Sequence, residues 1–465
     1  MQLNLPNKVS LIIDTLQAGG YEAYAVGGCV RDSLMGRKPK DWDITTNAKP
    51  VEIKRLFKRT VDTGIQHGTV TVLFGKESYE LTTYRIDGIY EDKRHPKEVT
   101  FTGDLAKDLE RRDFTINAMA YNDKEGLVDL FKGLEDLGSH TIKAVGNPLE
   151  RFDEDALRIM RALRFAAELD FEIEEETLKA IEKKSGDLKK ISAERIQTEL
   201  VKLLCSDHPE KVLGLYETGM SKVILPELDA IMETGQNNPH HMYNVGMHTI
   251  EAIKYSRKWN DSLSENDKKI LRLTMLFHDM GKAHCKTTDE NGIDHFKGHA
   301  DISEKIAGDI LRRLKFDNDT INKVKKLVKY HDHRYSVTKV KMRELMVNMG
   351  VDLMPLWFAV RRCDTNAQSL YVREEKLSSI DYCEELYNEI LRDKDCLSLK
   401  DLAVKGKDLI DMGIKPGKEL GEALDRMFKL VLEDPSKNDK SCLLSDKELV
   451  YGKAAPGQLE RMIDE

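Results

Sequence analysis

No apolar run in this chain approaches the roughly 20 residues that a bilayer-spanning helix requires, so no membrane partner is expected. The amino terminus, MQLNLPNKVSLIIDTL, shows neither a basic start nor a small-residue cleavage site, and it does not read as a signal peptide. The seven cysteines are scattered, odd in number and form no CxxC pair. Reduced thiols in the cytoplasm fit that pattern best. There is no internal repeat and no low-complexity tract. An excess of positive charge is missing too. Lys and Arg total 73 against 81 Asp and Glu, a net charge of −8, which argues mildly against a nucleic-acid partner. A basic stripe on an acidic body stays compatible with that balance.

At 465 residues the chain is too long for one core, and two to four domains are expected. Charged residues at 33% and hydrophobic ones at 40% are ordinary for a soluble, helix-rich protein. The first 140 residues mix strand and helix signals. YAV before Gly27 and DWDI at Asp41 are predicted strands, and GTVTVLF with YELTTYR reads as a hairpin around Gly75-Lys76-Glu77-Ser78. From residue 141 helical periodicity takes over in EDALRIMRALRFAAELDF, EETLKAIEKKSGDLKKI and AERIQTELVKLLCSD. Pro239 ends the turn-rich GQNNP. Helices with clustered histidines then run to about 370, and a helical remainder is interrupted by GIKPGKELG. The expected fold class is α+β, with domains at 1–140, 141–238, 239–370 and 371–465.

The most informative stretch is AVGGCVRDSLMGRKPKDWDI. Alternate residues of a strand share a face, so Asp41 and Asp43 would point one way while Trp42 and Ile44 enter the core. Two carboxylates one pleat apart can hold two Mg²⁺ ions, the arrangement of in-line nucleotidyl transfer. One ion lowers the pKa of an attacking hydroxyl, and the other steadies the triphosphate and its leaving pyrophosphate. Gly27 and Gly28 lie between a strand and a helix, where backbone N–H groups can approach phosphate. Arg31, one turn further on, can add a charge-assisted contact.

Together these segments resemble the DNA polymerase β nucleotidyltransferase superfamily, and within it the class II CCA-adding enzymes and bacterial poly(A) polymerases. The resemblance rests on GGCVRD with DWD, DGIYEDKRHPKEVTF, ERRDFTINAMA, EDALR with RALRF, and AERIQTEL, in family order over about 210 residues. It implies a small mixed-sheet, polymerase-β-like head, followed by an all-helical neck, HD domain and tail. It also implies a third carboxylate, for which Glu80 is the candidate, and nucleotide contacts from Arg112 and Asn117. A polar Asn beside a ribose offers one way to require its 2′-OH.

Base choice is expected on the helix from Asp155. Leu157, Ile159, Met160, Leu163 and Ala167 form its apolar arc. Asp155, Arg158 and Arg161 lie opposite, with Arg164 at the edge, and Asp155 and Arg158 are i,i+3 neighbours. An aspartate acceptor beside an arginine donor satisfies the pairing edges of cytosine and adenine. Uracil and guanine reverse that order and would leave buried groups unpaired, at about 1–3 kcal/mol each. A salt-bridged solvent face is the competing reading of the same spacing. In the resembling family the EDxxR motif performs this base selection. The charged stretch DGIYEDKRHPKEVTF is expected to be a flexible loop whose presence favours full CCA addition, and VDTGIQHGTVTVLF departs from the polymerase form of the hairpin.

A second centre is suggested by His248, His278-Asp279 and Asp364, which follow the order of an HD phosphohydrolase around MLFHDMGK. Imidazole and carboxylate ligands suit Mg²⁺, Mn²⁺, Fe²⁺ or Ni²⁺, and His299 and His331 would complete a two-metal site. The tail resembles that of class II CCA-adding enzymes, and Lys405, Lys407, Lys415 and Lys418 would meet tRNA phosphates unless they form only a solvated face. The leading expectation is a CTP/ATP:tRNA nucleotidyltransferase working on the tRNA 3′ end. The alternatives are a poly(A) polymerase or A-adding enzyme, and an HD-type phosphohydrolase with a degenerate head. The sequence leaves the oligomeric state open.

Overall fold

The strand signals of the first 140 residues assemble into one seven-stranded mixed sheet. Its members are β1 (Ala23–Val26), β2 (Asp43–Thr46), β3 (Thr60–Gly64), β4 (Thr69–Phe74), β5 (Glu77–Thr83), β8 (Met119–Asn122) and β9 (Gly126–Asp129). A separate antiparallel pair, β6 (Arg85–Asp87) and β7 (Val99–Phe101), lies between them in sequence. The order across the large sheet is β3-β4-β5-β2-β1-β8-β9. Only β2 and β5 pair in parallel; the other neighbours are antiparallel. Along β5, Tyr79, Leu81 and Thr83 turn inward while Glu80 stays exposed, the period-two pattern of a sheet with one face on a core.

The computed structural model describes residues 2–87, 99–332 and 338–452. The expected loop DGIYEDKRHPKEVTF falls largely on 88–98, outside the described residues. The chain divides into two compact units. The first comprises Met1–Gly235, Asn244–Arg272 and Gly308–Asn318; the second comprises Gln236–Tyr243, Leu273–Ala307 and Asp319–Glu465.

In the first unit, α1 (Asn7–Ala18) buries Val9, Ile12, Ile13 and Leu16, a helical stripe with a polar reverse side. Short helices follow as α2 (Gly28–Leu34), α3 (Pro50–Leu56), α4 (Leu105–Glu110) and α5 (Gly133–Gly138). Beyond them come α6 (Pro148–Glu154), α7 (Leu157–Leu169), α8 (Glu175–Lys184) and α9 (Ala193–Leu204), with α7 packed on α9. Among its described residues the second unit is helical apart from one pair of two-residue strands. Its carboxy-terminal part has a core of its own, built from Leu402, Val404, Leu409, Ala423, Met427, Val431, Leu443 and Val450. Among the described residues no helix is long and apolar enough to cross a membrane.

Three local expectations need correction. Strand β2 begins at Asp43, so Asp41 and Trp42 precede it; Ile44 is fully buried but Trp42 only half-buried. The hairpin turn is Gly75-Lys76 alone. Gly75 at φ 65° lets Phe74 pair directly with Glu77, drawing Glu77 and Ser78 into β5. Helix α7 has no solvent arc, because eleven of its thirteen residues are buried, Arg158 and Arg164 among them. The periodicity of the apolar residues was legible. Arg158 and Arg164 are buried because Glu154 and Glu199, from neighbouring helices, neutralise them.

Candidate active site

The parallel register of β2 and β5 sets Asp43 directly beside Glu80. Asp41 approaches the same strand end, and all three carboxylates are exposed there. The crowded surroundings of Asp43, together with the negative charges of Asp41 and Glu80, raise its carboxyl above the usual range against the pull of Arg112. Three carboxylates at one strand end form an all-oxygen donor set, which suits a hard cation. Beside it, β1 runs through Gly27 into α2. Gly27 sits at φ 82° and ψ −133°, and a Cβ there would come within 2.9 Å of Arg112 Nη1. Only glycine combines that backbone with so close an approach.

Arg31 and Asn117 belong to a buried relay. Arg31 donates to Asp32 at 2.7 and 2.9 Å and to Asn117 Oδ1 at 2.6 Å. Asn117 sits in the 3₁₀ turn Thr115–Asn117 and donates its amide to Asp113 Oδ1 at 3.2 Å. Asp113 also accepts from Arg161 Nε at 2.8 Å and Nη2 at 2.6 Å. Burial opposes the charge of Asp113, yet Arg161, Arg158 and Asn117 hold its carboxyl far below the usual range. Arg112 faces Asp108, with Nη2 3.5 Å from Oδ2. Arg164 is locked between Glu199 and Glu168, each at 2.6 Å.

Asp155 and Arg158 are not the mutual pair that their spacing suggested. Asp155 lies in the break between α6 and α7 with extended φ −139° and ψ 105°, so the i,i+3 helical geometry does not apply. Its carboxylate caps α7 through the Leu157 amide at 3.0 Å and accepts Arg195 of α9 at 2.7 and 3.3 Å. Arg158 donates to Glu154 at 2.6 Å, to the Arg151 carbonyl at 3.1 Å and to the Arg111 carbonyl at 2.8 Å. Each member is therefore oriented by a separate partner. Leu157, Ser192, Glu194, Arg195, Thr198 and Glu199 line an adjoining open pocket of about 520 Å³.

The second unit gathers His278, Asp279, His299, His331 and Asp364. The Nε2 atoms of His299 and His331 are 3.2 Å apart and lie 3.4 and 3.5 Å from Asp279 Oδ1. His278 Nε2 is 3.3 Å from Asp279 Oδ2 and 3.8 Å from Asp364 Oδ1. In all three histidines Nδ1 meets the carbonyl three residues earlier, of Met275, Phe296 and Val328, at 2.7, 2.9 and 2.6 Å. A carbonyl only accepts, so each Nδ1 carries the proton and each Nε2 offers a lone pair. Burial, with His331 and Lys282, pushes His299 below its ordinary value. Gly281 lets the chain pass close enough for its amide to reach Ser303 Oγ at 2.8 Å; a Cβ there would stand 2.4 Å from the His299 carbonyl. An open cavity of about 630 Å³ adjoins this cluster. The remaining expected ligand, His248, is buried on the helix Val245–Tyr255, which belongs to the first unit. The four tail lysines Lys405, Lys407, Lys415 and Lys418 are exposed.

Comparison with known proteins decides the family. Residues 23–143 match the poly(A) polymerase head domain, 170–232 the RNA- and SrmB-binding site of polymerase A, and 286–446 the tRNA nucleotidyltransferase domain 2. The CCA-adding enzyme of Limosilactobacillus reuteri (strain DSM 20016) is 36% identical over 450 residues, covering 94% of this chain and 95% of that one. The CCA-adding enzyme of Enterococcus faecalis is 37% identical over 435 residues, covering 93% of each. The chain belongs to the CCA-adding enzymes. The Bacillus stearothermophilus CCA-adding enzyme, solved in complex with CTP, aligns with a TM-score of 0.70 at 28% identity, over 95% of this chain and 98% of that one. These CCA-adding relatives support the leading reading. They lend nothing to a poly(A)- or A-only-adding enzyme, or to a phosphohydrolase with a degenerate head. The domain 2 match runs across the segments expected to be HD domain and tail.

Two members of the site escaped the sequence reading. Arg195 and Glu199, four residues apart in AERIQTEL, share one face of α9 and meet Asp155 and Arg164. Their spacing marks a helix face, but nothing in it names partners on α7 or at its start.

Proposed function

We propose that this CCA-adding enzyme rebuilds the 3′-terminal CCA of tRNA from CTP and ATP without a nucleic-acid template, in the cytoplasm. The observation that carries the chemistry is the registered Asp43–Glu80 pair with Asp41 at the same strand end. These three carboxylates would hold divalent cations, Mg²⁺ by the hardness of the donors. Such ions, when bound, ease deprotonation of the attacking hydroxyl and offset the charge of the departing pyrophosphate. The chain's own residues supply position. Gly27 and Gly28 allow backbone approach to the triphosphate, Arg31 and Arg112 add positive charge, and Asn117 addresses the sugar. The tRNA 3′-oxygen then bonds to the α-phosphorus as the bond to pyrophosphate breaks.

Base choice falls to Asp155 and Arg158. Arg195 orients the carboxylate that accepts the exocyclic amine of C or A, and Glu154 orients the guanidinium that donates to the ring nitrogen. Division of the chain into head (1–140), neck (141–238), HD domain (239–370) and tail (371–465) accompanies this reading, with the tail lysines on tRNA phosphates. The test is product length on tRNA lacking CCA, with CTP and ATP supplied singly and together. CTP alone should stop after two additions and the mixture after three; a long A tail would sink the reading.

A second activity is supported by one observation, the three proton-fixed histidines converging on Asp279. We infer that His278, Asp279, His299, His331 and Asp364 form a divalent-metal site of HD type. A bound transition metal would supply hydrolytic water for phosphatase or phosphodiesterase chemistry. Metal content of the purified protein and release of phosphate from 2′,3′-cyclic nucleotides test it.

A further inference from the structure

Three guanidiniums in the first unit gather around a single ring. Phe165 of α7 is 5% exposed. The ζ-carbon of Arg164 stands 3.8 Å from its centroid, and those of Arg31 and Arg161 stand 5.2 Å from it. Phe114 meets the ring edge-on at 5.8 Å and 80°, fixing its plane. Each arginine is also tied to other groups: Arg31 by Asp32 and Asn117, Arg161 by Asp113, Arg164 by Glu199 and Glu168. Every guanidinium is therefore held by acceptors and by the ring at once.

Carboxylates alone can neutralise these charges, but a carboxylate on a rotatable side chain does not set the distance between one guanidinium and the next. A rigid aromatic ring does, because its negative faces attract cations within about 6 Å of the centroid. Arg31 comes from the helix after the glycine turn, on the phosphate side of the site. Arg161 comes from the helix that follows Asp155, on the base side.

We propose that Phe165 is a positioning residue for the incoming nucleotide, its ring spacing Arg31 and Arg161 so that phosphate and base are read against one platform. This rests on reading Arg31 as a phosphate contact and Arg161, beside Asp155 and Arg158 on the base-reading helix, as a further nucleotide contact. Phe165 touches no nucleotide itself and acts through the arginines.

The decisive experiment keeps the shape of the ring and changes its charge distribution. Phenylalanine analogues with one, two and three ring fluorines are placed at position 165 of the full chain, alongside Phe165→Leu. Steady-state addition to tRNA lacking CCA is followed with CTP and with ATP, well below the melting temperature of every variant. KM for both nucleotides should climb stepwise with fluorination, reaching roughly 5- to 30-fold for the trifluoro ring and for leucine, the range of a desolvated cation–π contact. Turnover should hold within about twofold, as expected when binding and not bond formation is impaired. Arg161→Ala is run beside the series. If it raises KM while the fluorinated rings leave KM flat, the positioning role is overturned. If Arg161→Ala and Arg31→Ala both leave KM unchanged, the reading of these arginines as nucleotide contacts falls instead. Equal KM across the fluorine series with a raised value only for leucine would reduce Phe165 to core packing.

Discussion

Asp43 and Glu80 are neighbours across the one parallel pairing of the large sheet. Parallel registry aims both side chains to the same face and the same end, and Asp41 adds a third carboxylate two residues upstream. If these groups hold the ions of nucleotidyl transfer, Asp41→Ala should lower nucleotide incorporation by several orders of magnitude, because metal-aided activation supplies most of the rate. tRNA affinity should change little. Glu80→Gln should be impaired less, and it should be relieved in part by raised Mg²⁺. Near-normal incorporation by metal-replete Asp41→Ala protein would remove the assignment.

A buried carboxylate in the second unit gives a pH-dependent prediction. Burial opposes the charge of Asp294, but the Asn237 amide at 2.7 Å, Lys286 at 2.8 Å and Thr288 at 2.7 Å bring its pKa down to about 2. The folded value lies below the unfolded one, so the ionised form stabilises the native state above pH about 4. That contribution is lost as the pH falls through about 2. Asp294→Asn should therefore cost about 2 kcal/mol at pH 7. The gap between variant and parent in denaturant midpoint should close between about pH 4 and pH 2.

Much of this site could be read from residue order, and the limits of that reading are physical. Gly27 and Gly28 before α2, and the two aspartates at β2, depend on local geometry that a short segment dictates. Glu80 became a candidate only by resemblance, because registry between β2 and β5 is a long-range fact. The burial of the α7 arginines was hidden for a related reason. A charge opposite an apolar stripe faces solvent unless another element brings a counter-charge, and Glu199 and Asp113 do so from distant segments. Asp155 was placed in a helix by its spacing, whereas its side chain caps the one that begins at Leu157.

The histidine cluster and the carboxylate cluster should separate experimentally. Replacing His278 and Asp279 by alanine together removes one of the three clustered histidines and the carboxylate that all three approach. Bound transition metal, measured by mass spectrometry on dialysed protein, should fall to background, and phosphatase or cyclic-phosphodiesterase activity should vanish with it. CCA addition should stay within a few-fold. Collapse of addition in a well-folded double mutant would mean that the two activities are not independent.

The protein template itself is tested by what changes first, the choice of nucleotide or its joining. Asp155 accepts from Arg195 at 2.7 Å, and Arg158 donates to Glu154 at 2.6 Å. Removing the acceptor in Asp155→Ala should let UTP compete. A lost hydrogen bond of about 1–3 kcal/mol corresponds to roughly 5- to 150-fold in the ratio of CTP to UTP use. Arg195→Ala leaves the carboxylate present but unsteered, so the same ratio should fall by a smaller factor, with Arg195→Lys restoring part of it. Arg158→Ala should weaken CTP and ATP alike, since both offer a ring-nitrogen acceptor to the guanidinium. A cap and two ion pairs that only hold α6, α7 and α9 together predict a different outcome, namely lower melting temperatures with nucleotide ratios untouched. Measuring both quantities on the same preparations decides between them. Selectivity unchanged in a destabilised Asp155→Ala protein would leave EDALR as a helix junction and nothing more.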